Sequence, residues 1–234
     1  MFALRDAYLT WVEATEGQLH NLSLDHTLVS SLHTARYWRI RSLEVDPRPF
    51  PLVDAEVEQQ VGWLQRLLDD LVDRLNRVAL APGHLTVLDT NSLLEFLRPD
   101  QVNWADVVGQ RPVRLVVPLR VIEELDSKKH VRREDLASRA RRILPWLERT
   151  VGPAGAPGRI ADDVTIEVPV DPGPRHRPTD ADEEILETCV ELRQLVGQPV
   201  TLVTSDTAMR LRAQSRDIPV LPIPEKYGRQ SGQS

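Results

Sequence analysis

Cysteine is nearly absent from this sequence: Cys189 is the only one in 234 residues. A disulfide within the chain is therefore impossible, and a cysteine-based zinc site is excluded. Long apolar runs are missing as well, because no stretch approaches the roughly 18–20 residues that span a bilayer. The first residues, "MFALRDAYLTWVEATEG", carry charges every few positions and do not resemble a signal peptide. We expect a cytoplasmic protein that does not associate with membranes.

An excess of positive charge is confined to one segment. The formal net charge of the chain is −6, which argues against a protein that coats nucleic acid. Between Arg111 and Arg149, however, the sequence has eleven lysines and arginines and only six aspartates and glutamates. This segment is either an ordinary solvated helix surface or a flank that faces nucleic acid, and a site nearby would favour the second interpretation.

Residues 1–80 have the pattern of helices and show no strand-like alternation. One long amphipathic helix is predicted over 54–79. Its apolar residues recur at helical spacing at Leu64, Leu67, Leu68, Leu71, Val72, Leu75 and Val78. Shorter helices are predicted over 2–15 and 25–43. The prolines of "DPRPFP" at 46–51 separate the helix over 25–43 from the long helix over 54–79. We expect a helical amino-terminal region that packs on its own chain, forms a homodimer or recruits a protein partner.

The pattern changes after "APGH" at 81–84, where short apolar runs begin to alternate with helical stretches. The predicted strands are 85–88, 113–117, 164–170, 200–203 and 218–223. The predicted helices are 119–149, 181–196 and 207–215. This alternation predicts an α/β domain with a mainly parallel sheet. We expect residues 225–234 to form a disordered tail.

Carboxylates stand at the ends of the predicted strands and on the helices between them. Asp89 and Asp206 follow strands, and Glu124 and Asp182 lie on the intervening helices. Each acid alone has an ordinary explanation as a helix cap or a surface residue. Ligands of an open parallel sheet bind at the carboxyl ends of its strands, so we expect these acids to converge. Converging carboxylates repel one another unless a cation neutralises them. An all-oxygen set suits Mg²⁺ or Mn²⁺, and such a site suits phosphodiester hydrolysis.

Four segments resemble, in order and spacing, the motifs of PIN-domain ribonucleases. They are "TVLDTNSLLEFL", "VVPLRVIEELDSKK", "DADEEIL" and "VTLVTSDTAMRLRAQSRDIPV". The resemblance covers roughly residues 84–224 and implies a three-layer α/β/α sandwich around a mainly parallel sheet. It also implies endonucleolytic cleavage of single-stranded RNA with one or two Mg²⁺ or Mn²⁺ ions, leaving the phosphate on the 5′ side of the downstream product.

The resemblance assigns roles to individual residues. The metal-binding and catalytic acids are Asp89, Glu124, Asp182 and Asp206, with Asp180 as an auxiliary ligand. The residues that brace the site are Asn91, Thr204 and Ser205. The candidates for contacts to the RNA backbone, taken from the basic residues near these acids, are Lys128, Lys129, Arg132, Arg133, Arg175 and Arg177.

Several alternatives stay open. A PIN fold that no longer cuts would serve as an RNA-binding or regulatory scaffold, and an active one is equally compatible with the toxin of a toxin–antitoxin pair. The connection over 150–178 is richer in proline and glycine than in the smallest family members, and we expect an extra strand pair, a lid or a surface loop there. A metal-dependent adhesion domain would need serine at position 91, and a haloacid-dehalogenase-type phosphatase would need aspartate; Asn91 fits neither.

Overall fold

The computed structural model describes residues 2–22, 29–42, 49–79, 81–169 and 180–228. Among these, the residues up to Arg74 form one compact unit and those from Leu75 onward form a second. The expected fold class is confirmed: a helical amino-terminal region precedes a mixed α/β unit. Within the described residues, no helix combines the length and the apolar character that crossing a bilayer requires.

Among the described residues, the helices of the amino-terminal region include α1 (Phe2–Leu22), α2 (Ala35–Ser42) and α3 (Pro49–Ala79). Helix α2 begins later than predicted because the Thr34 hydroxyl accepts a hydrogen bond from the Tyr37 N–H, 3.0 Å away, and so caps the helix. Helix α3 begins five residues earlier than predicted. Its prolines lie in its first turn, where the backbone N–H groups have no partner within the helix, so they start the helix and do not merely precede it.

A buried carboxylate ties the three helices together. The side chain of Glu56 on α3 is fully buried and accepts hydrogen bonds from Tyr8 on α1 at 3.2 Å and from Thr34 at 2.6 Å. Gln60, one turn further along α3, donates a third bond at 3.0 Å. Burial, followed by the charge of Glu56, raises the pKa of Tyr8. The surrounding apolar core consists of Tyr8, Val12, Leu32, Tyr37, Ile40 and Val53.

The second unit is built on a six-stranded sheet. Its strands are β1 (His84–Leu88), β2 (Val113–Val116), β3 (Gly158–Ala161), β4 (Val164–Glu167), β5 (Thr201–Val203) and β6 (Val220–Leu221). The order is β3-β4-β2-β1-β5-β6, and every neighbouring pair is parallel except β3 and β4. The central strands β1, β2 and β5 are buried along almost their whole length because parallel strands are covered on both faces.

Helices flank this sheet. They are α4 (Thr90–Glu95), α5 (Trp104–Val108), α6 (Leu119–Lys128), α7 (Glu134–Thr150), α8 (Ala181–Val196) and α9 (Thr207–Gln214). Short 3-10 helices span Pro99–Gln101, Pro153–Gly155 and Glu225–Tyr227. The last of these lies in the predicted tail, and Gly228 forms a bridge with Phe96. Residues 229–234 lie outside the described residues.

The single helix predicted over 119–149 is wrong, because the structure has two helices, α6 and α7, with a turn between them. A continuous helix would place Lys128 four residues before Arg132 and Lys129 four residues before Arg133. Like charges at this spacing destabilise a helix. Helix α7 then begins with two acids that suit its amino terminus.

The connection over 150–178 contains an extra strand. β3 pairs with β4 in antiparallel orientation and extends the sheet at one edge. The sequence analysis had assigned no strand to β3, and it had also missed the short helix α5. Residues 170–179 of the connection lie outside the described residues.

A buried ion pair lies on one face of the sheet. Arg114 on β2 is 1% exposed, and its Nε atom is 2.5 Å from Oε1 of Glu167 on the adjacent strand β4. A second guanidinium nitrogen donates a hydrogen bond to Oε2 at 2.9 Å.

Candidate functional site

Two of the predicted acids lie at adjacent strand ends. Strands β1 and β5 pair directly, so the residues that follow them come close together at the carboxyl edge of the sheet. Asp89 follows β1 and is 2% exposed. It also caps α4, because its carboxylate accepts a hydrogen bond from the Ser92 N–H at 2.6 Å. Asp206 follows β5, is half-buried, and caps α9 by accepting from the Met209 N–H at 2.9 Å.

Thr204 links these two acids. Its side chain is fully buried, and its hydroxyl donates to Oδ2 of Asp89 at 2.5 Å. The hydroxyl oxygen of Thr204 in turn accepts a hydrogen bond from the backbone N–H of Asp206 at 3.0 Å. One hydroxyl group therefore fixes the carboxylate of Asp89 relative to the start of the Asp206 loop.

Glu124 joins the same edge of the sheet from α6. It accepts a short hydrogen bond from the hydroxyl of Thr90, which is the residue next to Asp89. Strand β2, which leads into α6, pairs with β1, so the chain topology delivers Glu124 beside the end of β1. The structure thus connects Glu124 to the Asp89 loop through one side chain.

The remaining acids come from the start of α8. Asp180 caps this helix and accepts from the Asp182 N–H at 3.1 Å. Burial raises the pKa of Asp182, and the charges of Asp180, Asp206 and Glu124 raise it further. The charge of Asp182 is therefore coupled to that of Glu124 on α6 and to that of Asp206 at the start of α9.

Arg212 on α9 partly neutralises this end of the cluster. Its guanidinium lies 3.0 Å from a carboxylate oxygen of Asp180 and 3.5 Å from one of Asp182. Accordingly, Arg212 opposes the rise in the pKa of Asp182. The sequence analysis missed Arg212, although it stands six positions after Asp206, on the exposed side of the helix that Asp206 begins.

The environment of Asp89 makes its charge costly without a counter-ion. Burial raises the pKa of Asp89. The hydrogen bonds from Ser92 and Thr204 oppose that rise because they stabilise the ionised carboxylate. Asp89 is the most deeply buried of the predicted ligands.

Two basic residues share a helix face with Glu124. Arg120 and Lys128 lie four residues before and after it on α6, so all three project from the same side. Arg120 also lies 3.9 Å from Glu184 on α8, which couples α6 to the helix that carries Asp182. Arg120 was not among the predicted contacts to RNA.

The other basic candidates differ in their surroundings. Lys129 pairs with Asp126 at 2.5 Å, and both line a cavity of about 460 Å³ between α6 and α7 that none of the predicted acids lines. Arg132 and Arg133 are exposed in the turn between α6 and α7, where Arg133 lies 3.4 Å from Asp135. Arg175 and Arg177 lie outside the described residues.

The residues that hold the acids in place by hydrogen bonds differ in part from the predicted ones. Thr204 makes two of them, whereas Asn91 and Ser205 are half-buried beside the acids. Thr90 and Ser92 supply further bonds, to Glu124 and to Asp89, and the Ser92 hydroxyl donates to the Val203 carbonyl at 3.0 Å. The signal for these roles was the pair of hydroxyl residues on either side of Asn91.

The donor set fits a hard divalent cation in its chemistry. Every side chain in the cluster offers carboxylate oxygens, the ligands that Mg²⁺ and Mn²⁺ prefer. Within the described part of the chain, however, no three acidic, histidine or cysteine side chains stand close enough together to hold one ion. Each carboxylate instead contacts a hydroxyl, a backbone N–H or Arg212.

Comparison with known proteins gives a match to one protein family. Residues 86–223 match the family model described as PIN domain. This segment begins within β1 and ends after β6, so it contains all five described acids. Proteins of that family are generally nucleases and typically use divalent metals. No curated protein matches the chain.

Proposed function

We propose that this chain, which belongs to the PIN-domain family, is a metal-dependent endoribonuclease that hydrolyses phosphodiester bonds of single-stranded RNA. The observation that carries the proposal is the pair of strand-end acids, Asp89 and Asp206, joined by the hydroxyl of Thr204. Asp89 is nearly fully buried, and a buried carboxylate is retained most readily where a cation completes its environment.

The residues that would hold Mg²⁺ or Mn²⁺ are Asp89, Glu124, Asp182 and Asp206, with Asp180 as an auxiliary ligand. One or two such ions supply polarisation of the phosphate, activation of water and stabilisation of the leaving oxygen. The protein's own contribution is to fix the acids. Thr204 and Ser92 hold the Asp89 carboxylate by two hydrogen bonds, and Thr90 holds Glu124.

The cations of the chain would bind and orient the RNA backbone. Lys128 and Arg120 project from the Glu124 face of α6, within reach of a phosphate at the carboxylates. Arg132 and Arg133 extend the positive charge into the exposed turn that follows. Contacts of this kind are independent of sequence, so they position the strand without selecting bases.

A cleavage assay tests the proposal. A fluorescent single-stranded RNA is incubated with the full chain while Mn²⁺ or Mg²⁺ is titrated, and RNA binding is measured in parallel. The variants are Asp89→Asn and Asp206→Asn, since asparagine keeps an oxygen that can accept the helix-capping hydrogen bond and removes the negative charge. Asp217→Asn is the matched control. Asp217 is exposed and has a φ of 54°, a conformation that asparagine also adopts.

The expected result is cleavage that depends on the metal, is lost in both site variants and is unchanged in the control. Cleavage that survives both substitutions would refute the assignment of these acids. Tight RNA binding without cleavage under any metal would instead support a catalytically silent RNA-binding or regulatory scaffold. The ion pairs of Arg212 with Asp180 and Asp182 are compatible with that second function, because they neutralise part of the acid cluster without a metal.

A further inference from the structure

An apolar stripe on α3 remains exposed to solvent. Among the described residues, seven of the twelve exposed large hydrophobic side chains belong to this helix. They are Phe50, Val57, Val61, Leu68, Leu71, Val72 and Leu75, with exposed fractions from 38% to 60%. Soluble proteins seldom expose a continuous apolar row of this length without a partner for it.

The stripe has the spacing of a coiled-coil seam. From Val57 onward, apolar residues recur at alternating intervals of four and three positions. Val57, Leu64 and Leu71 occupy the d positions of a heptad, and Val61, Leu68 and Leu75 occupy the a positions. At 1.5 Å per residue this seam is about 27 Å long.

A different face of α3 already packs within its own unit. Val53 is 1% exposed and belongs to the core with α1 and α2, and Trp63 packs against that core. Glu56 and Gln60 project in nearly the same direction and are fully or almost fully buried. The seam lies roughly 80° around the helix from these residues, at 100° per residue, so packing within the unit and pairing of the seam are compatible.

The residues beside the seam favour a second copy of this chain as the partner. In a parallel, in-register pair, Leu67 faces Val72 of the other copy, and neither side chain is charged. Charges at these flanking positions are what select a different partner in heteromeric coiled coils. Most charges of this stretch lie on the outer positions instead, at Arg66, Asp69, Asp70 and Asp73. Six seam residues from each copy, with their flanks, would bury on the order of 1,000 Å², the size that a specific interface needs.

We infer that the chain forms a homodimer through a two-stranded coiled coil along the Val57–Leu75 seam of α3. This inference does not depend on the nuclease function. Closed two-fold pairing is the commonest form of homo-oligomer and uses the same surface on both copies, as a continuous self-complementary seam does.

The test is the mass of the full chain in solution, measured by light scattering and by sedimentation over a concentration series. The seam variant carries Leu68→Glu and Leu71→Glu, which place like charges across the interface. Both leucines are exposed in the single copy, at 54% and 42%, so the fold of each chain is expected to persist. The control carries Arg66→Glu and Asn76→Glu on the outer face, and a third variant carries Leu68→Met and Leu71→Met.

We expect wild type, the outer-face control and the methionine variant to have twice the chain mass of 26.5 kDa. The seam variant should have the single mass, with dimer affinity at least about a hundredfold lower. Circular dichroism checks that its helices are intact. A wild-type chain that stays monomeric at the highest attainable concentration would overturn the inference. A dimer that both glutamate variants dissociate equally, or that neither dissociates, would overturn it too.

Discussion

Replacing Thr204 with valine removes one hydroxyl group and almost no volume. In the metal-free protein that hydroxyl joins Asp89, at 2.5 Å, to the backbone N–H of Asp206, at 3.0 Å, and it is fully buried. Valine leaves a buried carboxylate with one donor fewer and the N–H without its acceptor. Loss of a hydrogen bond to a charged, buried group destabilises a protein by about 1.5–3 kcal/mol. We expect Thr204→Val to lower the free energy of unfolding by that amount at neutral pH.

The pH dependence of this loss has a definite sign. Burial raises the pKa of Asp89 above its ordinary value of 3.8, and Thr204 opposes the rise. A carboxyl whose pKa is higher in the folded state stabilises the fold at low pH, and this contribution is lost as the pH rises through the folded-state pKa. Thr204→Val raises that pKa further. The deficit of the variant is therefore largest at neutral pH and shrinks as the pH falls toward 3.8.

Cys189 provides the assay. Its thiol is 1% exposed on α8, so a thiol reagent in increasing urea reports the opening of the sheet unit alone. Thr86→Val is the matched control, because Thr86 is equally buried and its hydroxyl makes only a 3.5 Å contact with a carbonyl. The reasoning is refuted if both valine variants lose the same stability. It also fails if the pH dependence of the deficit persists when Asp89→Asn is added.

Three further results are expected. Arg212→Ala removes the cation beside the acids at the start of α8, so calorimetry should show Mn²⁺ binding up to about fivefold more tightly. The control Arg210→Ala removes only a contact with a hydroxyl and should leave the affinity unchanged. Arg114→Met breaks the buried pair with Glu167 and should lower the free energy of unfolding in urea by about 3–5 kcal/mol, and apolar replacement of both partners should restore most of it. Burial raises the pKa of Cys189 to about 12, so the native thiol should resist a disulfide reagent at about pH 8 and react fully once unfolded; rapid native reaction would contradict this.

The central strands were predictable because burial on both faces makes them mostly apolar, with Thr86, Arg114 and Thr201 as the buried polar exceptions. The predicted strand 85–88 differs from β1 by one residue, and the predicted helix 181–196 coincides with α8. β3 was missed because this edge strand is short and alternates half-buried with exposed residues, a pattern that "GRIA" shares with many surface loops. The break between α6 and α7 depends on repulsion among neighbouring cations, which apolar periodicity does not register.

The candidate site was predictable in its acids and less so in their partners. Asp89 and Asp206 are marked by their position, since Asp89 directly follows β1 and Asp206 comes three residues after the end of β5. The roles of Thr90 and Ser92 depend on contacts with distant parts of the chain, the former with Glu124 and the latter with the end of β5. Such contacts follow from the register of the sheet, which no local pattern encodes.

The ordinary and the functional interpretations of these acids describe the same geometry. Asp89 caps α4 and Asp206 caps α9, as their positions alone would suggest. Capping engages Oδ1 of each carboxylate with a backbone N–H, which fixes the side chain at the mouth of the sheet. The second oxygen of Asp89 then meets Thr204. Under the proposed function, a cap that already holds the carboxylate in place would reduce the conformational entropy that metal binding must remove, so the same contacts would serve both the fold and the site.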